Sequence, residues 1–375
     1  MPLLRRRLGQ PNTVLTGAAL FGALLFSGTG TARVEAQAPQ TVEADIFSTL
    51  PSTDTHRPEM ALDGDPGTYF QSTRGMGRGD DFLVLFTSPI PVQSIKVTTG
   101  DDAKGGLFTQ GLLETSSDGK TFTQAAAFGA DGTAATTAAP GTVQAVRLTV
   151  PRGTRGGMLV IREITITTPV KITHIGWARG RGFYDVSQAP DVLPWAERAE
   201  KQMEEFWPNT EALLYSEGNI PPNMVNVVYR DGDGVAATGG GVMTVNSKWC
   251  RAHPEDTGLT VHETAHVVQS YPGYGAGWLV EGIADYIRWC KFEPEHFHPR
   301  INPAKATYHD SYQTTAAFLL WCEQNYDSGL VTKLNRALRA GTFSIDMFKQ
   351  YCGKDVDTLW AEFIKTLPPP PAPKV

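Results

Sequence analysis

His262-Glu263-Thr264-Ala265-His266 concentrates more chemistry in five residues than any other stretch of this chain. On a helix, residues four apart leave the same face one turn apart, so two imidazoles at this spacing can share one Zn2+. Glu263 follows the first histidine directly, placed to reach a water beside the metal rather than the metal itself, as a general base must. The alternative is an amphipathic helix with two hydrogen-bonded histidines, and a third ligand separates the two readings. Positions three and six residues past His266 hold Gln269 and Pro272, which excludes a continuation through glycine and a third histidine. Glu281-Gly282-Ile283-Ala284-Asp285 supplies the ligand instead: at about 3.3 Å per extended residue, the loop 272–277 (PGYGAG) can bring Glu281 back beside His262. Two histidines and one carboxylate leave the fourth position open, the arrangement of a catalytic rather than a structural zinc site. Asp285, one turn past Glu281, is placed to hydrogen-bond a ligating imidazole.

Such a centre activates water against a carbonyl, with Glu263 taking the proton and delivering it to the leaving group. The oxyanion needs a further donor. Tyr312 is the candidate, with Tyr308 and His309 as rivals; aromatic residues at helical spacing are more often core. Gly239-Gly240-Gly241 leads into Val242–Asn246, expected as the sheet edge that pairs with substrate backbone. His296 and His298 stand in a charged, proline-containing loop and read as surface residues rather than a second metal site. His56, His174 and His253 are isolated. No Ser/His/Asp set, phosphate loop or nucleic-acid patch stands out.

These side chains need helices to carry them. Apolar periodicity predicts helices over Trp195–Trp207, Leu259–Tyr271, Trp278–Cys290, Tyr312–Tyr326 and Asp355–Thr366, and strands over Met224–Tyr229 and Val242–Trp249. That is an α/β mixture from about residue 171 to 366. Residues 42–168 read as all-β: short alternating runs such as Phe82–Phe86, Ser94–Thr99, Ala145–Val150 and Met158–Ile166 are separated by Gly, Asp, Pro and Thr. Asp118-Gly119 marks a hairpin, and the Ala/Thr/Gly-rich stretch Ala125–Thr142 reads as a flexible loop. The proline-rich tail, 367–375, reads as an exposed, extended end.

Two resemblances sharpen this division. Ala61–Phe70 (ALDGDPGTYF), Phe82-Leu83-Val84, Val97–Gly100, Ser116–Gly119 and Ile161–Ile166 resemble a discoidin-type domain, a family also used as carbohydrate-binding modules, across nearly all of 42–168. The resemblance implies a jelly-roll sandwich, a glycan or cell-surface ligand, and a structural Ca2+ on Asp63, Asp65, Thr68 and Glu163, oxygen donors being what a hard cation takes. A plain tight turn at DGDPGT is the other reading. The terminal disulfide common in animal relatives is absent. Val261–Gln269, Trp278–Tyr286, Ser311–Trp321 and Tyr184–Ser187 with Pro190 resemble the plant basic secretory protein family, peptidases with bacterial members, and the paired motifs resemble the gluzincin clan. This resemblance implies a zincin-like α/β domain in which His262, His266 and Glu281 hold Zn2+ and a peptide bond is cleaved. The chain is acidic, so the family's "basic" label does not describe it.

Composition agrees with a multidomain, soluble chain. Its 375 residues allow two or three domains, and a net charge of −6 offers no general footprint for nucleic acid. Arg5, Arg6 and Arg7, the 13-residue apolar run Val14–Phe26 and the small-residue site Val34-Glu35-Ala36 predict a signal peptide over 1–36, too short to span a bilayer core that needs about 20 residues. Its removal leaves 29 basic against 38 acidic residues, a charge near −9. Export, to a periplasm or beyond, permits two disulfides among Cys250, Cys290, Cys322 and Cys352 in any of three connectivities; buried free thiols are the alternative. The expected protein is a secreted zinc peptidase docked by its first domain, with a glycan-binding protein carrying a silent peptidase fold as the rival.

Overall fold

The computed structural model describes residues 40–368 except 78, 104, 152, 153, 155, 156 and 274. The signal expected over 1–36 and residues 369–375 of the tail lie outside the described residues.

Alternating apolar side chains build two sheets in the first half. The larger contains β1 (Thr41–Ser48), β4 (Asp81–Val92), β6 (Leu112–Ser116), β7 (Thr123–Ala127), β9 (Gly141–Thr149) and β11 (Lys171–Trp177), ordered β11-β1-β4-β9-β6-β7. The smaller runs β3-β10-β5-β8, from β3 (Phe70–Gly75), β5 (Ser94–Thr99), β8 (Thr133–Ala135) and β10 (Met158–Thr167); β2 is the short strand Ser52–Thr53. Phe82, Val84 and Phe86 of β4 and Ile95, Val97, Ile161 and Ile164 of the smaller sheet are completely buried in one apolar core. Alternation puts every second side chain of a strand on that face. Asp118-Gly119 does turn the β6–β7 hairpin: Asp118 Oδ1 accepts from the amides of Lys120 and Thr121, and Gly119 takes φ +71°.

Two expectations change here. The stretch 125–142 is not a single loop but holds the end of β7, all of β8 and the start of β9, because Phe128 and Ala134 bury themselves in the core. The sheet also recruits β11, beyond residue 168, parallel to β1; Ile172 and Ile175 pack on the same core.

The second half has a sheet ordered β12-β14-β16-β15, made of β12 (Arg181–Asp185), β14 (Met224–Arg230), β15 (Ala236–Gly239) and β16 (Val242–Asn246); β13 (Asn219–Ile220) pairs instead with β2. β12, β14 and β16 are parallel, and β15 runs antiparallel on the edge. Val242–Asn246 is therefore an inner strand, paired on both sides, and the edge expected there belongs to Ala236–Gly239. Glycines 240 and 241 reverse the chain between them. The predicted strand to Trp249 also stops early, because the Asn246 side chain accepts from the Lys248 amide and caps a short helix.

Eight α-helices are described: α1 (Leu193–Leu213), α2 (Ser247–Ala252), α3 (Leu259–Gln269), α4 (Gly277–Asp285), α5 (Tyr312–Asn325), α6 (Leu330–Arg339), α7 (Met347–Cys352) and α8 (Val356–Thr366). α4 continues into a π-helical segment, Tyr286–Phe292. The sequence reading missed α6 and α7, although α6 buries Leu330, Val331, Leu334 and Leu338 at helical spacing. These helices and the sheet enclose a second apolar core that includes Trp207, Tyr229, Val245, Leu279 and Phe318. Cys250, Cys290, Cys322 and Cys352 are all free thiols, so neither disulfide is formed. Burial pushes the Cys250 and Cys290 thiols up to about 12, which keeps them unreactive. Among the described residues no helix is long and apolar enough to cross a membrane.

Candidate metal centre and active site

α3 is buried over nearly its whole length and ends where Ser270 turns left-handed at φ 39°, before Pro272. Its two histidines project together, with Nε2 atoms 3.1 Å apart. The chain reverses into α4, which returns Glu281 so that its Oε2 lies 3.4 Å from each Nε2. All three ligand atoms fall within 4.8 Å of one another, the single such grouping of His, Cys, Asp and Glu among the described residues. Each imidazole is oriented through its other nitrogen. Asp285 Oδ1 is 2.7 Å from His262 Nδ1, and Gln269 Oε1 is 2.8 Å from His266 Nδ1. Gln269 is in turn fixed by donating to the Val280 carbonyl, which ties α3 to α4.

The donor set fits a cation such as Zn2+, with two imidazole nitrogens and one carboxylate oxygen converging on one point. Electrostatics agree. Burial disfavours a charged His262, yet hydrogen bonds to Asp285 and Glu281 raise it to about 9. Glu281 is pulled down to about 2 against its own burial, by His262 and His266. The cluster stabilises positive charge at its centre, which a metal would supply in place of protons.

Glu263 is 6% exposed and lines the same cleft as the two histidines. Its Oε2 accepts a 2.7 Å hydrogen bond from Thr238 Oγ1 on the edge strand β15. Thr238 and Gln269 are the two residues that the sequence reading left without a role. The i,i+3 spacing from His266 was a usable signal for Gln269; nothing local marks Thr238, 25 residues away.

Ser311 and Tyr312 open α5 with φ 64° and 48°, left-handed values that side-chain-bearing residues rarely take. The pair is braced: Thr307 and Asp310 form a reciprocal capping box, and the Thr315 amide donates to the Ser311 carbonyl. Tyr312 is thereby held 55% exposed, its ring 6.2 Å from that of His262. The Glu281 charge, then burial, raises its phenol above the usual range, so it is a donor at neutral pH. Of its rivals, Tyr308 packs among Trp278, Phe318 and Trp360, and His309 lies against Trp278. Tyr312 lines the cleft and these two do not.

The cleft over the three ligands has a volume of about 1320 Å3 and is walled by β15, Tyr312 and the loop carrying His298. Residues 191–363 match the family model described as BSP, peptidase of plants and bacteria. Over this segment the chain is similar to that family. All of the cleft's convergent groups, His262, Glu263, His266, Glu281 and Asp285, lie inside the BSP segment. No curated protein matches the chain. Among solved structures, the chain is similar to CBM32-1 from a family 31 glycoside hydrolase of Clostridium perfringens, at 16% identity and a TM-score of 0.29 over 33% of this chain and 94% of that one. It is also similar to the family 32 CBM of C. perfringens NanJ in complex with galactose, at 18% identity and a TM-score of 0.27 over 33% and 92%.

Outside the BSP segment, the candidate calcium residues do come together. Asp63 accepts from the Asp65 amide and from Thr68 Oγ1, at 2.9 and 2.8 Å, so the DGDPGT turn holds its own shape. Burial, then the charges of Asp63 and Asp65, push Glu163 up to about 7, and its Oε2 is buried without a partner. An orphaned carboxylate oxygen facing two aspartates suits a cation. The carboxylates do not converge as tightly as the histidine cluster. His296 is exposed beside Glu293 and Glu295, whereas His298 forms part of the cleft wall.

Proposed function

We propose that this protein is an exported zinc-dependent peptidase with a zincin-like catalytic half from about residue 171 to 366, and that the sandwich before it engages a glycan or cell surface. The observation that carries the catalytic reading is the convergence of His262, His266 and Glu281 beneath an open cleft, with Glu263 adjacent and held by a different partner. A zinc ion on His262 Nε2, His266 Nε2 and Glu281 Oε2 would supply Lewis acidity, acidifying a water and polarising the scissile carbonyl.

The remaining work falls to the chain. Asp285 and Gln269 fix the imidazole orientations, leaving each Nε2 free to ligate. The Glu263 carboxylate accepts the water's proton and returns it to the leaving amine, and Thr238 Oγ1 holds that carboxylate in place. The Tyr312 phenol donates to the oxyanion. β15 offers its free edge to substrate backbone, as an added strand would use it. On the sandwich, Asp63, Asp65, Thr68 and Glu163 are the proposed Ca2+ ligands; the discoidin-type sequence pattern supports both this site and glycan docking.

The test is zinc content by elemental analysis together with cleavage of a peptide library by the full chain, wild type against Glu263→Gln. The variant should keep its zinc and lose about 10²–10⁴-fold in turnover. Stoichiometric zinc with no turnover in either form would instead favour the silent, glycan-binding reading. Docking is checked on a glycan array, where absence of any bound glycan defeats it.

A further inference from the structure

The turn between β15 and β16 consists of two glycines, Gly240 and Gly241, with φ 57° and 76°. This is the mirror-image hairpin turn that only glycine-like residues enter freely. A four-residue edge strand on such a turn has little stability of its own. The sandwich supplies what is missing. A side chain on Gly241 would stand 2.5 Å from the Gly79 carbonyl and 2.7 Å from Asp80 Oδ1. Reciprocally, a side chain on Gly79, itself at φ +87°, would overlap the Val242 methyl. The two backbones thus meet glycine against glycine.

The strip Gly79–Asp81 that makes this contact is rigid on its own side. Asp80 is completely buried, receives both guanidinium arms of Arg74 at 2.6 and 2.7 Å, and accepts from Thr49 Oγ1 at 3.0 Å. On the other side, Asn226 of β14 donates through Nδ2 to the Gly79 carbonyl and to Asp81 Oδ2, while its backbone amide donates to the Gly241 carbonyl. Two residues before the turn stands Thr238, which grips Glu263. Thr49 and Arg74 also line the same cleft as the histidines.

We propose that the sandwich is a positioning element of the catalytic cleft: the Gly79–Asp81 strip pins the β15–β16 turn, and the turn holds Thr238 against Glu263. Gly79, Gly241 and Asn226 are positioning residues, acting on the reaction only through Thr238 and the substrate-pairing edge. This rests on the peptidase reading, and it makes the sandwich part of the catalytic machinery rather than a tethered anchor.

The test uses the full chain with Val242→Ala, which only removes methyl groups at the contact, and Gly79→Ala, whose added methyl would overlap the Val242 side chain across it. Hydrogen exchange of the amides of 236–246 should quicken about tenfold in either variant. kcat should fall about tenfold, with KM changing less than about threefold, as expected for a misplaced base. Thr238→Val alone should lower kcat similarly, and adding Val242→Ala to it should cost nothing further, since both act along one route. Should Gly79→Ala fail to fold, Val242→Ala carries the test. Unchanged exchange in Val242→Ala overturns the proposal, as does faster exchange with unchanged kcat. Absence of turnover in the wild type would sink the peptidase reading instead, and the exchange result would still decide whether the strip pins the hairpin.

Discussion

Around the histidine pair, each side chain's function is set by what its second polar atom touches. Asp285 on His262 Nδ1 and Gln269 on His266 Nδ1 leave both Nε2 atoms facing Glu281. Such partners raise ligand basicity and fix ring orientation, so Asp285→Asn should weaken zinc binding about 10–100-fold, measured by competition with a chromophoric chelator. On α1, outside the cleft, Glu200 shows the opposite use of burial. Its acid is pushed from 4.5 up to about 7, by burial and then by the neighbouring Glu204 charge. A carboxyl whose pKa is raised on folding is held protonated longer in the native state, so its contribution is favourable below 4.5 and is lost as pH rises towards 7. Glu200→Gln should therefore melt at a higher temperature than wild type at pH 8 and at nearly the same temperature at pH 5, by thermal denaturation at both values.

Among the elements, the start of α5 stores the clearest strain. Ser311 sits at φ 64° and ψ −171°, a region open essentially to glycine alone, and Tyr312 follows at φ 48°. The capping box of Thr307 and Asp310 and the packing of Tyr308 on Trp278 hold the turn in that state. Ser311→Gly removes the steric cost but loosens the chain before Tyr312. It should raise stability by about 1 kcal/mol while lowering kcat, and a melt paired with steady-state kinetics separates the two effects. The α3–α4 pair has a simpler logic: a left-handed Ser270 ends one helix, and the Gln269–Val280 hydrogen bond registers the next against it.

Across the whole molecule, the two halves share a small apolar cluster of their own. Phe47, Leu83 and Ala145 of the sandwich bury with Met224 of β14, and the rings of Phe47 and Phe183 meet edge-on at 5.6 Å. Beside it, completely buried Asn223 donates to the carbonyls of Ile46 and Ala178 and accepts from the Ser48 amide. An interface that leaves no polar group of Asn223 unpaired couples the unfolding of its two sides. Calorimetry should show one transition rather than two, and Met224→Ala should lower its stability by about 3 kcal/mol.

The sequence alone determined that His262, His266 and Glu281 could converge, because H-E-x-x-H and E-x-x-x-D put their side chains on single helical faces, where local periodicity decides direction. It likewise determined the β-rich first half and most of the helices, for the same local reason. What it did not contain was the pairing of distant segments. Which strand lies on the sheet edge, β15 or β16, depends on a neighbour that periodicity does not name. The recruitment of β11 into the sandwich, the free state of the four cysteines and the grip of Thr238 on Glu263 are contacts between parts of the chain far apart in sequence. The meeting of Gly79 with Gly241 is of the same kind. In sequence each is an ordinary turn residue, and only the tertiary structure sets Gly241 against the Gly79 carbonyl and Gly79 against the Val242 methyl, leaving no room for a side chain on either.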